Sequence, residues 1–238
     1  MLDYGFYLKD CMDGMREFPD GFFDLAIVDP PYGGVTQGGY MSNQMNGGVA
    51  KYHDYHLSLW QCGKPDEQYF RELMRVSKNQ IIWGGNYFAS MLFDSQCWLV
   101  WDKNKPEGVG FADCELAWTS FDLASRIFHF TWNGMLQGDM KNKEVKIHPT
   151  QKPVALYEWI LNKFAKEGDI ILDTHVGSGS SLIACIKNGF RYVGFEIDQT
   201  YYEDAKKRIE SKITGINKED AIKGQMNIFD FEEIRKNY

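Results

Sequence analysis

Apolar residues along this chain fall into short runs broken by glycine, proline and charge. Phe23 to Val28 is such a run, bounded by Gly21 and by Gly33-Gly34. A stretch that short and that apolar predicts a strand buried on both faces. Gln80 to Gly85, Cys97 to Trp101, Cys114 to Ser120, Asp169 to Asp173 and Arg191 to Glu196 predict further strands. Tyr4 to Cys11 and Arg126 to Trp132 alternate more loosely and predict two more. Helical spacing lies between them. Tyr69, Phe70, Leu73 and Met74 recur at i, i+3 and i+4 within Pro65–Val76. Met12–Phe18 predicts a turn or two of helix, Tyr87–Phe93 a short helix, and the stretch from Pro153 to about Lys166 a longer one. Ser180–Asn188 and Tyr201–Lys212 predict two more helices. Strands alternating with helices predict an α/β fold, a mostly parallel sheet with helices on both faces.

Two stretches break the pattern. From 33 to 65, Gly33, Gly34, Gly38, Gly39, Gly47 and Gly48 are interleaved with Tyr40, Asn43, Gln44, Asn46 and Tyr52. This predicts a long mobile loop, and loops of that length inside a domain are usually functional or disordered. His53 and His56 within it read as loop histidines rather than metal ligands. From Asn133 to Lys146 the chain is polar, and Lys141, Lys143 and Lys146 make it the most basic local stretch, a candidate phosphate contact. After Gly215 a charged tail follows, with Gly224–Phe231 a weak candidate edge strand.

Composition narrows the class. The 238 residues, 44% of them apolar, suffice for a sizeable core in one large α/β domain or two small ones, and a single domain is expected. A net charge of −7 excludes a global basic field, so any nucleic-acid contact rests on a local patch. The five cysteines lie far apart with no C-x-x-C pair and read as free thiols of a cytoplasmic protein. No apolar run approaches the roughly 18 residues of a membrane span, and no leader pattern is present.

Two punctuation points carry chemistry. The run 23–28 ends in Asp29-Pro30-Pro31-Tyr32. Each proline fixes its own φ and restricts the residue before it, so the corner is stiff. A carboxylate, a carbonyl and an aromatic plate held there suit an exocyclic amine on a flat heterocycle. The second point is Asp173-Thr174-His175-Val176-Gly177-Ser178-Gly179-Ser180-Ser181, a strand, a glycine turn and a helix start. Glycines let a ligand approach the backbone, and the helix start offers free N–H groups. Glu196, ending the next strand with Ile197 beside it, is placed to accept both hydrogen bonds of a ribose diol. Leu182 replaces the third glycine of G-x-G-x-x-G, and Asp173 would repel a pyrophosphate. An acid there suits a ligand with a cationic amino group, and a nucleoside bearing an amino acid, S-adenosylmethionine, fits.

With both motifs in hand, the chain resembles the amino-methylating DNA methyltransferases, which modify adenine N6 or cytosine N4. The family's catalytic motif is matched by Asp29, Pro30, Pro31 and Tyr32, its cofactor loop by Asp173 to Ser181, and its Lys-Pro element by Lys152-Pro153. The catalytic motif comes first, an order similar to the family's beta class. The resemblance implies a circularly permuted Rossmann-like fold with a seven-stranded sheet, S-adenosylmethionine as cofactor, no metal, double-stranded DNA as partner and in some relatives a homodimer. Carried over by position, Asp10 and Cys11 would touch the cofactor adenine and Asp173 would face the methionine amino group. Gly177 and Gly179 would let the cofactor lie close, Glu196 would hold the ribose, and Lys152 and Pro153 would flank the methionine end. His175 departs from the pattern, since the family usually has Pro-Phe where Thr174-His175 stand. The family's target-recognition region is left only a short segment here, about 122–147, so specificity is either short or read by the 33–65 loop. Asp at position 29 favours adenine, because the cytosine-N4 group more often carries Ser there. Cytosine-N4 methylation, an RNA adenine-N6 enzyme and a non-catalytic cofactor-binding module are the alternatives.

Overall fold

The computed structural model describes residues 1–33, 63–106, 112–133 and 136–214. Most of the loop expected over 33–65, including His53 and His56, and the strand expected over 224–231 lie outside the described residues. The elements run β1 (Gly5–Leu8), α1 (Cys11–Met15), β2 (Phe23–Val28), α2 (Glu67–Val76), β3 (Ser77–Trp83), β4 (Trp98–Asp102), β5 (Cys114–Thr119) and β6 (Arg126–His129). They continue with β7 (Trp132–Asn133), β8 (Leu136–Gln137), α3 (Val154–Phe164), β9 (Ile170–Asp173), α4 (Ser180–Lys187), β10 (Arg191–Glu196) and α5 (Gln199–Thr214).

Eight strands form one sheet in the order β1-β10-β9-β2-β3-β5-β4-β6, and β7 and β8 form a separate ribbon. Only β5 is reversed, antiparallel to both β3 and β4. The sheet has one strand more than the seven that the resemblance implies, and all eight lie where the apolar pattern predicts strands. β6 extends it past β4, because Ser125 donates to the Gln96 carbonyl and accepts from the Trp98 amide, both at 3.0 Å, and so sets the parallel register Leu99↔Arg126.

Strand β2 shows why the apolar runs are continuous. Leu25 and Ile27 join the core under α3 and α4, while Phe23, Ala26 and Val28 join the core under α1 and α2. Each face buries large side chains worth about 1.5–3 kcal/mol apiece. A slip of one residue would exchange the faces, so the register is firmly held. Helix α2 buries Tyr69, Phe70, Leu73 and Val76, and Asp66 caps it by accepting from the Tyr69 amide at 3.0 Å. The helix expected over Tyr87–Phe93 is instead two single 3₁₀ turns, Gly85–Tyr87 and Ala89–Met91. Seven residues are too few to sustain an α-helix without strong packing, and i→i+3 bonds such as Tyr87 N–H to the Gly84 carbonyl close the turns.

The topology positions the site. From β9 the chain crosses through α4 to β10 on one side, and from β2 it reaches β3 on the other. β9 and β2 are parallel neighbours, with Leu25 opposite Ile171. They therefore flank a topological switch point, where ligands bind outside the carboxyl ends of the strands. Asp29 follows β2 there, and the glycine turn follows β9.

Candidate active site

A cavity of about 340 Å³ opens at that switch point, a size within the range of small-molecule sites. Asp29, Pro30, Pro31 and Tyr32 line one end. Asp10, Cys11, Glu196 and Ile197 line the other, with His175, Gly177, Ser178 and Ser180 between them and Lys152 beside the proline corner. Both motifs singled out in the sequence thus share one chamber. Pro153, Asp173, Gly179 and Ser181 are not among its walls. Pro153 and Gly179 are the N-cap residues of α3 and α4, and Asp173 and Ser181 lie beneath the glycine turn.

At the proline corner, the Tyr32 hydroxyl donates to Asp29 Oδ1 at 2.6 Å. The Lys152 ammonium donates to Asp29 Oδ2 at 2.5 Å and pairs with Glu115 Oε2 at 3.0 Å. Lys152 is only 3% exposed. A buried ammonium needs such partners, since an unpaired one is strongly disfavoured. Burial acts to lower the Lys152 pKa, but Asp29 and Glu115 outweigh it and hold the pKa above the ordinary lysine value. Glu115 also takes Lys103 at 2.7 Å. Burial would raise its pKa, yet Lys152 and Lys103 hold the carboxyl down at about 2. Tyr32 stacks on Tyr87, with ring centroids 4.9 Å apart. A Cβ on Gly84 would collide with the Tyr32 ring, and Gly84 has φ +69°, so only glycine fits beneath this tyrosine.

At the glycine corner, Glu196 accepts from the Gly177 amide at 2.8 Å and from the Asp198 amide at 2.9 Å. Burial, partly countered by these amides, raises its pKa above the ordinary value. The acceptor capacity left on its two oxygens faces the cavity wall. Asp173 accepts from the Ser181 hydroxyl and from the His175 amide. Burial pushes its pKa up to about 7 against those bonds, and the charges of Asp29 and Glu196 add to the rise. Asp173 therefore braces the turn from below. Asp10 caps α1 through the amides of Met12 and Asp13.

Several functional neighbours lie outside the motifs legible in the sequence. The Tyr69 hydroxyl lies 2.7 Å from Thr174 Oγ1, which lies 2.9 Å from His175 Nδ1. This polar chain stands where the family usually has Pro-Phe, and burial lowers the His175 pKa to about 4. His148 packs edge-on against Tyr201 beside Gly177, its pKa lowered to about 3 by burial and by Lys152. Arg208 on α5 donates to the Ser178 carbonyl at 2.6 Å and the Ser180 hydroxyl at 2.9 Å, and it pairs with Glu144. Glu144 in turn accepts from the Val154 amide at the start of α3 and exchanges backbone bonds with the Gln137 side chain. The signal for Glu115 is an acid inside the otherwise apolar strand Cys114–Thr119. The others give no local signal. In the basic stretch, Lys141 and Lys143 are exposed, whereas Lys146 lies over the Trp132 ring at 5.2 Å.

A permuted, mostly parallel sheet with a nucleoside-sized chamber between a proline corner and a glycine corner defines a Rossmann-like methyltransferase architecture. Similarity to known proteins agrees. The DNA methylase family model matches residues 96–207. Type II methyltransferase M.HpaI of Haemophilus parainfluenzae is 40% identical over 275 aligned positions, which span all of this chain and 84% of that protein. The chain belongs to this family of amino-methylating (N6/N4) DNA methyltransferases, whose cofactor is S-adenosylmethionine. The fold is shared with the M1.HpyAVI–SAM complex, at 22% identity and a TM-score of 0.51, covering 85% of this chain and 98% of that one. It is shared as well with the cytosine-N4-specific PvuII DNA methyltransferase, at 11% identity and a TM-score of 0.55, covering 91% and 95%. Among the described residues, no helix is long and apolar enough to cross a membrane.

Proposed function

We propose that this chain methylates adenine N6 in double-stranded DNA, on a base turned out of the helix into the cavity beside Asp29. The observation that carries this reading is the placement of Asp29 and the Gly177 turn on adjacent strand ends around one chamber. The chamber fits S-adenosylmethionine by chemistry. Glu196 offers acceptors for a ribose diol, Cys11 and Ile197 offer apolar contact for an adenine, and Ser178 and Ser180 lead toward Lys152 at the methionine end. Ile197 is 54% exposed, an apolar side chain left uncovered at the rim. Bound there, S-adenosylmethionine supplies a methyl group on an electrophilic sulfonium.

The protein's part is positioning and charge. An adenine amine is a weak nucleophile because its lone pair is delocalised into the ring. Accepting its hydrogens at Asp29 turns that lone pair toward the methyl carbon and stabilises the positive charge that grows on nitrogen. Asp29 would hold the amine in line while the bound sulfonium gave up its methyl group and kept the bonding pair, the surplus amine proton leaving to solvent afterwards. Asp29 need not take a proton first. A base within a duplex is out of reach of this chamber, so it has to flip, with Tyr32 as its stacking surface. The stretch 122–147 is the target-recognition segment in this reading, within a single domain. The free thiols of Cys11, Cys97, Cys114 and Cys185 suit a cytoplasmic setting.

Asp rather than Ser at position 29 is what favours adenine over cytosine. The test is nucleoside mass spectrometry after incubation with unmethylated duplex DNA, and in parallel with RNA. N6-methyladenine in DNA, lost in Asp29→Ala with cofactor binding kept, is the expected result. N4-methylcytosine as the product would replace this reading with the cytosine one.

A further inference from the structure

We infer that Lys152 is a positioning residue that changes partner during the reaction, guarding Asp29 when the pocket holds no base and withdrawing onto Glu115 when the target amine arrives. The inference rests on the proposed role of Asp29 as the amine's acceptor. Its basis is geometric. Both Asp29 oxygens are already engaged, Oδ1 by the Tyr32 hydroxyl and Oδ2 by the Lys152 ammonium. Each oxygen keeps a further lone pair, but an amine held close at Asp29 competes with these donors for space and for the carboxylate's charge. The ammonium is the harder one to displace, because it is 3% exposed and has little water to retreat into. Glu115 resolves this. It already pairs with the same Nζ at 3.0 Å from the opposite strand, β5. Lys152 can let go of Asp29 without becoming an unpaired buried charge.

Charge arithmetic supports the same assignment. Asp29 and Glu115 face Lys152 and Lys103, a neutral foursome. Transfer places a new positive charge on nitrogen beside Asp29. With Lys152 fixed on Asp29, that carboxylate would be half-neutralised when its charge is needed. With Lys152 drawn to Glu115, Asp29 acts undivided. Lys152, together with Lys103, also holds the buried Glu115 carboxyl in its ionised form.

Two variants and one structure test this. Glu115→Gln removes the alternative partner at nearly constant shape and leaves one excess positive charge. Its kcat is expected to fall at least tenfold, with cofactor affinity by calorimetry within twofold of wild type. Adding Lys152→Met to Glu115→Gln restores neutrality and frees Asp29, so the double variant is expected to turn over faster than Glu115→Gln alone. A purely structural role for Glu115 would make the double variant worse. Wild-type kcat in Glu115→Gln, or a double variant no faster than the single one, overturns the inference. Should the variants fail to fold, a crystal structure of the wild type with duplex DNA and a non-reactive cofactor analogue decides. Lys152 on Glu115 alone is expected, and Lys152 still on Asp29 beside a bound amine refutes it. Wild-type protein that transfers no methyl group to any nucleic acid would instead refute the underlying reaction, and the partner exchange with it.

Discussion

Tyr32 and Tyr87 lie face to face, with centroids 4.9 Å apart and planes inclined by 19°. One face of the tyrosine is therefore already covered by Tyr87, and the proposed reading gives a flipped base the other. The stack and the Asp29 bond make separable demands on Tyr32. Tyr32→Phe keeps the ring and loses only the hydroxyl bond, so single-turnover methyl transfer should fall less than tenfold. Tyr32→Ala removes the plate, and base–aromatic stacking worth about 1–3 kcal/mol predicts a loss on the order of ten- to a hundredfold. Equal losses in the two variants would remove the plate from the reaction.

Glu196 ties the glycine turn to the residues after β10 through two backbone amides. Its loss should be felt by the cofactor before the DNA. Glu196→Gln should weaken S-adenosylmethionine binding by at least about tenfold, since each hydrogen bond to a charged group contributes about 1.5–3 kcal/mol. Calorimetry showing unchanged affinity would contradict the ribose assignment.

His175 makes a pH prediction. Folding lowers its pKa from the ordinary 6.5 to about 4 through burial. Between those values the unfolded chain binds more protons than the folded one, so stability falls as pH drops from about 6.5 towards 4. At pH 5 the cost is on the order of 2 kcal/mol. His175→Phe cannot protonate, so its denaturant midpoint should move less than that of wild type between pH 7.5 and pH 5. Parallel shifts in the two proteins would show that His175 is not the titrating group.

The basic stretch divides into two kinds of lysine. Lys141 and Lys143 are exposed and free to meet phosphates, whereas Lys146 packs on Trp132, and burial lowers its pKa. Reversing charge at 141 and 143 should reduce the slope of log affinity against log salt by about 1 for each lysine–phosphate pairing removed. Lys146→Ala should lower the unfolding midpoint and leave the slope alone. An unaltered slope after both reversals would take this stretch out of the DNA interface.

The two corners of the site are legible because each ends an apolar run with unusual punctuation, two prolines in one case and glycines in the other. Local patterning can show no more than that. Lys152 meets Asp29 across 123 positions, and Tyr69 meets Thr174 across 105. Such pairs leave no periodic trace, because only the sheet order brings them together. Asp173 illustrates the converse. Its place after β9 makes it conspicuous, but tertiary packing turns it under the glycine turn, where Ser181 and the His175 amide occupy it. Near Tyr87 an apolar count suggests a helix rather than 3₁₀ turns, because the positive φ at Gly84 is invisible to it.

Arg208 grips the Ser178 carbonyl with the same guanidinium that grips Glu144. The practical result concerns engineering. If 122–147 is the recognition segment, as proposed, exchanging it to redirect the enzyme has to keep an acid at position 144, because Arg208 holds the Ser178 carbonyl while paired to Glu144.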